Sequence, residues 1–117
     1  MKKLVSALAV GLLTSAGAFA QVANVKSAEK IANSDKPDFA EARRLITEAL
    51  ANDETKNDPY TWYVAGLIEN KAYTEGFKKA AIDQNADRTD MYKALTASIP
   101  SWLKVYELEN QPNEKGK

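Results

Sequence analysis

Apolar residues recur along the chain at three- and four-residue steps. Val22, Val25, Ala28, Ile31 and Ala32 form one such stripe, the pattern of an amphipathic helix. Ser34-Asp35-Lys36-Pro37 interrupts it. Proline suits a first helical turn, where its missing N–H has no partner to lose, so Pro37 is expected to start a second helix. That helix places Phe39, Ala42, Leu45, Ile46, Ala49 and Leu50 on one face. The polar run Asn52 to Asn57 reads as a loop, and Asp58-Pro59 as an N-cap followed by proline at the first helical position. A third helix carries Trp62, Ala65, Gly66 and Ile68 on one side, with Tyr63 and Leu67 flanking. A fourth is expected from near Thr74, holding Phe77, Ala80 and Ala81, and Asp83-Gln84-Asn85-Ala86-Asp87 ends it.

In the last segment Met91, Leu95, Ile99, Trp102 and Tyr106 step by four, four, three and four. The phase survives across Pro100, which favours one long helix kinked there. The alternative is a turn at Ser98-Ile99 with Pro100 starting a new helix. No segment shows sustained strand alternation. The expected fold is all-α, with about five helices after the first twenty residues.

Those twenty residues have a different character. Met1-Lys2-Lys3 is basic, Leu4 to Leu13 is apolar, and Ala18-Phe19-Ala20 is a small-x-small cleavage signature before Gln21. This is the layout of a secretory signal peptide over 1–20. The apolar run falls short of the roughly 20 residues that cross a bilayer. No cysteine follows it, which argues against a lipoprotein. The expected location is exported, periplasmic or secreted, with no stable membrane insertion after cleavage.

The whole chain has 117 residues, 16 basic and 16 acidic side chains, and neither histidine nor cysteine. Cleavage after Ala20 would leave 97 residues with 14 basic and 16 acidic side chains. A slightly acidic balance does not point to nucleic acid or an anionic membrane. The lack of His and Cys removes the imidazole base, the thiol nucleophile, disulfides and the usual zinc and haem ligand sets. No cofactor, metal or catalytic residue is expected.

Sliding the sequence against itself by 34 residues aligns Ala28 with Trp62, Ile31 with Ala65 and Ala32 with Gly66. It also aligns Phe39 with Tyr73, Ala42 with Gly76 and Ile46 with Ala80. With Trp62-x-x-Ala65-Gly66, then Tyr73, and Phe39-x-x-Ala42 followed by Ile46 and Ala49-Leu50, the chain resembles the tetratricopeptide repeat (TPR) family. Ala65 stands where that family usually has Leu, Ala28 where the first repeat would carry Trp, and the usual proline closing the first repeat is missing. Thr55-Lys56-Asn57-Asp58 leading into Thr61-Trp62-Tyr63, and Tyr106-Glu107-Leu108 leading into Pro112 to Lys117, resemble the N-terminal part of longer exported TPR proteins of Gram-negative anaerobic bacteria.

The resemblance implies a right-handed stack of antiparallel helix hairpins, a TPR-like α-solenoid. Repeat 1 would span about 22–52, repeat 2 about 58–83, and a final long helix about 88–109 of a single domain over 21–117. Small residues at Ala32, Ala42 and Gly66 would let helices cross closely. Solenoids usually need about three repeats to bury a continuous core, which leaves a shortened member or a small one that associates with itself.

In that family the first helix of each repeat lines a groove. The resemblance places Tyr60, Tyr63, Leu67 and Asn70 there, with Lys26, Glu29 and Asn33 one repeat earlier. Tyr60 and Tyr63 are the leading pair, since tyrosine offers a large contact area at low rotamer cost and keeps a polar tip. Packing of both rings into the core is the alternative. Trp62 and Trp102 read as core, with Trp102 placed to cover Phe77. Asp83-x-Asn85-x-Asp87 matches the start of a calcium loop, but Arg88 replaces the needed glycine and Ala94 the bidentate glutamate. A polar loop with a helix cap near Asp87 or Thr89 fits better.

The functional expectation is an exported, non-catalytic module presenting a helical-repeat groove to a peptide or protein partner. The alternative is a structural cap or self-association unit of a larger helical assembly. A small carboxylate enzyme would need two acids converging in a pocket.

Overall fold

The computed structural model describes residues 19–111, and the signal-peptide expectation therefore falls largely outside the described residues. Four helices are present among them, with no strand: α1 over 19–32, α2 Phe39–Ala51, α3 Pro59–Ile82 and α4 Thr89–Glu109. None of these helices is long and apolar enough to cross a membrane.

Local chemistry sets most of the helix ends. Asp38 caps α2 by accepting from the Glu41 N–H, so Pro37 lies just outside the helix rather than in its first turn. Asp58 accepts from the Tyr60 N–H, with Pro59 at the start of α3 as expected. Asn52 closes α2, and the buried Thr55 hydroxyl donates to the Ala49 carbonyl, satisfying an end-of-helix acceptor. The Trp62 indole N–H donates to the Lys56 carbonyl at 2.6 Å and holds the intervening loop.

The expected fourth and fifth helices need correction, because Pro59–Ile82 is a single helix and the total is four. Glu69-Asn70-Lys71-Ala72-Tyr73 contains no glycine or proline to break it. Thr74 does not cap a new helix. Its hydroxyl donates back to the Asn70 carbonyl at 3.0 Å, four residues earlier in the same helix.

One core joins the first three helices. Val25, Ala28 and Ala32 of α1 pack with Ala42, Leu45, Ile46 and Ala49 of α2 and with Val64, Ala65 and Ile68 of α3. Ala32 and Ala42 are buried, as the small residues expected at close crossings. At the surface, Asn24 donates to Glu48 between α1 and α2, and Arg43 pairs bidentately with Glu69 between α2 and α3.

α4 packs along α3 by a different rule. A Cβ on Gly76 would lie 2.8 Å from the Met91 Cβ, and one on Gly66 would lie 2.8–3.0 Å from three Trp102 ring atoms. These two contacts run in opposite senses along the helices, so α3 and α4 are antiparallel. The buried residues of α4 are Met91, Ala94, Ser98 and Ser101. The expected stripe of Met91, Leu95, Ile99, Trp102 and Tyr106 is therefore corrected in large part: Leu95, Ile99 and Tyr106 are exposed. Trp102 lies against Gly66, and the expected cover over Phe77 is absent, since Phe77 is exposed and its ring neighbour is Tyr73. The helix itself continues through Pro100, as its unbroken phase implies.

Candidate functional site

The residues expected to line a groove fall on α1, the turn that ends it, and α3. Tyr60, Tyr63, Leu67 and Asn70 occur at three- and four-residue steps of α3, and so share one side of it. The Tyr60 hydroxyl donates to the Glu29 carboxylate at 2.6 Å, which ties this row to α1. Lys26 is exposed on α1, Asn33 is exposed in the turn just after it, Asn70 is exposed on α3, and Leu67 is half-buried. The structure brings Tyr60, Tyr63 and Glu29 together, while Lys26, Asn33 and Asn70 make no side-chain hydrogen bond to them.

The bond to Glu29 has an electrostatic consequence. Ionising Tyr60 would remove the donor and set two negative charges together. The phenol is pushed up to about 12, first by the Glu29 hydrogen bond, then by burial and by the Glu29 charge. Tyr60 is thus a neutral donor already committed to an internal partner.

Tyr63 continues the aromatic row. Its ring stacks on Tyr60, with centroids 6.4 Å apart, and meets Trp102 edge-on at 5.7 Å. Trp102 lies under Tyr63 because Gly66, three residues on, has no side chain to hold the indole away. The row therefore crosses from α3 to α4 and reaches the exposed face of the last helix.

That face is the feature sequence reasoning did not place. Tyr92, Leu95, Ile99, Leu103 and Tyr106 lie within an arc of about 80° on α4, centred about 120° from the side packed on α3. Together with Tyr63 and Phe77 of α3, these seven large residues are between 39% and 70% exposed. Contiguous apolar surface on this scale is rare on monomeric proteins. Its cause is the glycine pair on α3. With Gly66 and Gly76 in the seam, the helices approach until Ala94, Ser98 and Ser101 fit between them, and the bulkier side chains turn outward. The signal was present in the sequence as a second register, Met91-Ala94-Ser98-Ser101, opposite two glycines spaced by ten residues.

Other candidates do less. A groove of about 620 Å³ runs between α2 and α4 over α3, lined by Phe39, Arg43, Glu69, Gly76, Asp90 and Lys93 among others. None of the seven expected groove residues lines it, and its Arg43 and Glu69 satisfy one another. The calcium-like loop is occupied by its own backbone. Asp83 accepts from the Asn85 N–H and Asp87 from the Thr89 N–H. Those bonds from Thr89 hold the Asp87 carboxyl below its ordinary range. Among the described residues, no three carboxylates converge on a metal-sized position.

Comparison with protein families, with curated proteins and with solved structures finds no match to this chain.

Proposed function

We propose that the protein is an exported, non-catalytic association module, and that its docking face is the outward side of α4 with the neighbouring edge of α3. The observation that carries this reading is the placement of Tyr92, Leu95, Ile99, Leu103 and Tyr106 in water on a helix whose other side is already packed. Removing such a surface from water is favourable by about 25 cal/mol per Å². The stripe contains no charged residue between Arg88 and Asn110, so an apolar partner surface meets no unpaired charge there.

The peptide-groove reading centred on Tyr60 and Tyr63 is the weaker of the two. The Tyr60 hydroxyl, the polar tip that would recognise a peptide, is already engaged by Glu29. Tyr63 belongs to both surfaces and would contribute its ring in either case. The TPR resemblance fits a protein-binding role but supplies no partner.

Site-specific photo-cross-linking tests the reading. A photoreactive phenylalanine analogue replaces Ile99 in the protein expressed with its own leader, and Lys30 on α1 serves as the comparison position. Discrete adducts from position 99 that are absent from position 30 support an association face on α4. Equal labelling from both positions, or no adduct from 99, would sink it.

A further inference from the structure

The apolar face of α4 is mirror-symmetric along its own axis. Reading from either end, the exposed large residues are Tyr92, Leu95, Ile99, Leu103 and Tyr106: tyrosine, leucine, isoleucine, leucine, tyrosine, at steps of three, four, four and three. The polar ends obey the same symmetry, with Arg88 and Asn110 each eleven residues from Ile99. A two-fold dimer pairs residue i of one copy with j of the other and j with i, and this symmetry makes every such pair along the stripe one of like size and chemistry. A helix lying antiparallel on its own copy, with Ile99 on the two-fold axis, sets Tyr92 against Tyr106 and Leu95 against Leu103 at both ends.

The flanks agree with this register. Lys93 and Glu107 lie on the same side of the stripe, and in an antiparallel pair that side faces its own copy. Antiparallel pairing about Ile99 brings Lys93 of each copy to within two residues, about 3 Å along the axis, of Glu107 of the other. Parallel pairing would instead turn that side toward the opposite flank of the partner, and Lys93 would not meet Glu107. The α3 edge extends the face. Phe77 lies level with the start of α4 and Tyr63 level with Trp102. The same two-fold therefore brings Phe77 of one copy toward Tyr63 of the other.

The area is sufficient. With roughly 200 Å² for a fully exposed large side chain, the exposed fractions of the seven residues amount to about 750 Å² per copy, or about 1,500 Å² for a pair, within the roughly 1,200–2,000 Å² of a standard interface. A membrane surface fits less well. Interfacial helices carry Lys and Arg on their polar face, whereas α4 balances Lys93 and Lys104 against Asp90, Glu107 and Glu109.

We infer that the occupant of this face is a second copy of the chain, docked α4 against α4, antiparallel, about a two-fold axis through Ile99. This rests on the association reading above and specifies its partner.

The chain contains no cysteine, so single cysteines report the register cleanly. Leu95→Cys and Leu103→Cys proteins, as processed by the cell, are mixed in equal amounts and mildly oxidised. Ile99→Cys is oxidised alone. The antiparallel pair predicts efficient Ile99→Cys cross-linking. It also predicts the mixed 95–103 disulfide in about tenfold excess over either homodimer, because matched 95–95 positions lie about 12 Å apart along the axis, beyond the roughly 7 Å Cα reach of a disulfide. All replaced side chains are exposed, and unchanged helicity by circular dichroism confirms folding. Dominant 95–95 homodimers would overturn the antiparallel register. So would cross-linking no faster than that of a cysteine placed at Lys30. Photo-adducts from position 99 whose mass is not twice that of the chain would overturn self-pairing while leaving the association reading intact. Absence of any adduct from position 99 would remove both.

Discussion

Replacing Gly76 by alanine sets two opposed effects against each other. Gly76 lies inside α3, and alanine there favours the helix by about 1 kcal/mol. Its new Cβ would lie 2.8 Å from the Met91 Cβ and 3.1 Å from its Cγ, where carbon pairs rest at about 3.5–4.0 Å. The Met91 Cβ is fixed to its backbone and cannot rotate away, so α3 and α4 must separate locally by nearly 1 Å. A gap of that size forfeits a quarter to a half of each contact it opens, and the seam holds the buried Met91, Ala94, Ser98 and Ser101. Overpacking of this kind costs about 2–3 kcal/mol. Gly76→Ala should therefore destabilise the protein by about 1–2 kcal/mol, or about 5–15 °C in Tm for a domain of this size. Thermal unfolding followed by circular dichroism measures it. Gly66→Ala provides the contrast, because its Cβ meets only Trp102 ring atoms. Its penalty should vanish in a Trp102→Ala background, while that of Gly76→Ala should persist in Met91→Ala, which keeps the offending Cβ. A Gly76→Ala protein that is more stable than wild type would refute the close seam, and with it the explanation of why the bulky residues of α4 face outward.

Three other perturbations probe separate parts of the fold. The Thr61 hydroxyl is buried without a hydrogen-bond partner, so Thr61→Val should raise stability by about 1 kcal/mol in a denaturant titration. Tyr60→Phe removes the bond to Glu29 and should cost about 1 kcal/mol. The Tyr60 phenol is pushed up to about 12 from 10.0, so its stabilising contribution is intact below the ordinary phenol range and lost as pH rises through that value. The stability difference between wild type and Tyr60→Phe should therefore close in strong alkali, and the latest-titrating tyrosine absorbance should disappear in the variant. Asp58→Ala removes the α3 N-cap bond to the Tyr60 N–H and should cost about 1 kcal/mol by the same unfolding assay.

The helices whose ends carry their own chemistry were legible in the sequence. Asp58-Pro59 marks the start of α3, the run from Asp83 to Asp87 marks the break before α4, and the unbroken phase across Pro100 marks α4 as one helix. The α1 and α2 stripes lead directly to the core. The stripe of Phe77, Ala80 and Ala81 reads as a separate helix from near Thr74, but no breaker residue supports a turn there, and α3 continues through it. The face of α4 was obscured for a physical reason. Periodicity selects the register richest in large apolar residues, but packing density between two helices depends on both partners. Opposite Gly66 and Gly76, small side chains fit best, so Ala94, Ser98 and Ser101 face inward and Leu95, Ile99 and Leu103 face water. Of the expected groove residues, Tyr63 is the one shared with the exposed apolar face, through its contact with Trp102.

The most direct test of the pairing of α4 with its own copy is the mass of the protein in solution. Sedimentation equilibrium compares wild type with Ile99→Glu over about 1 μM to 1 mM, the range that spans weak to moderate affinity. The predicted wild-type mass rises toward twice that of the chain. Ile99→Glu, which would place two carboxylates together on the two-fold axis at a cost of several kcal/mol, should remain at the single-chain mass with unchanged helicity and Tm. A wild-type protein that stays at the single-chain mass throughout, or an Ile99→Glu protein that still doubles, would contradict the account.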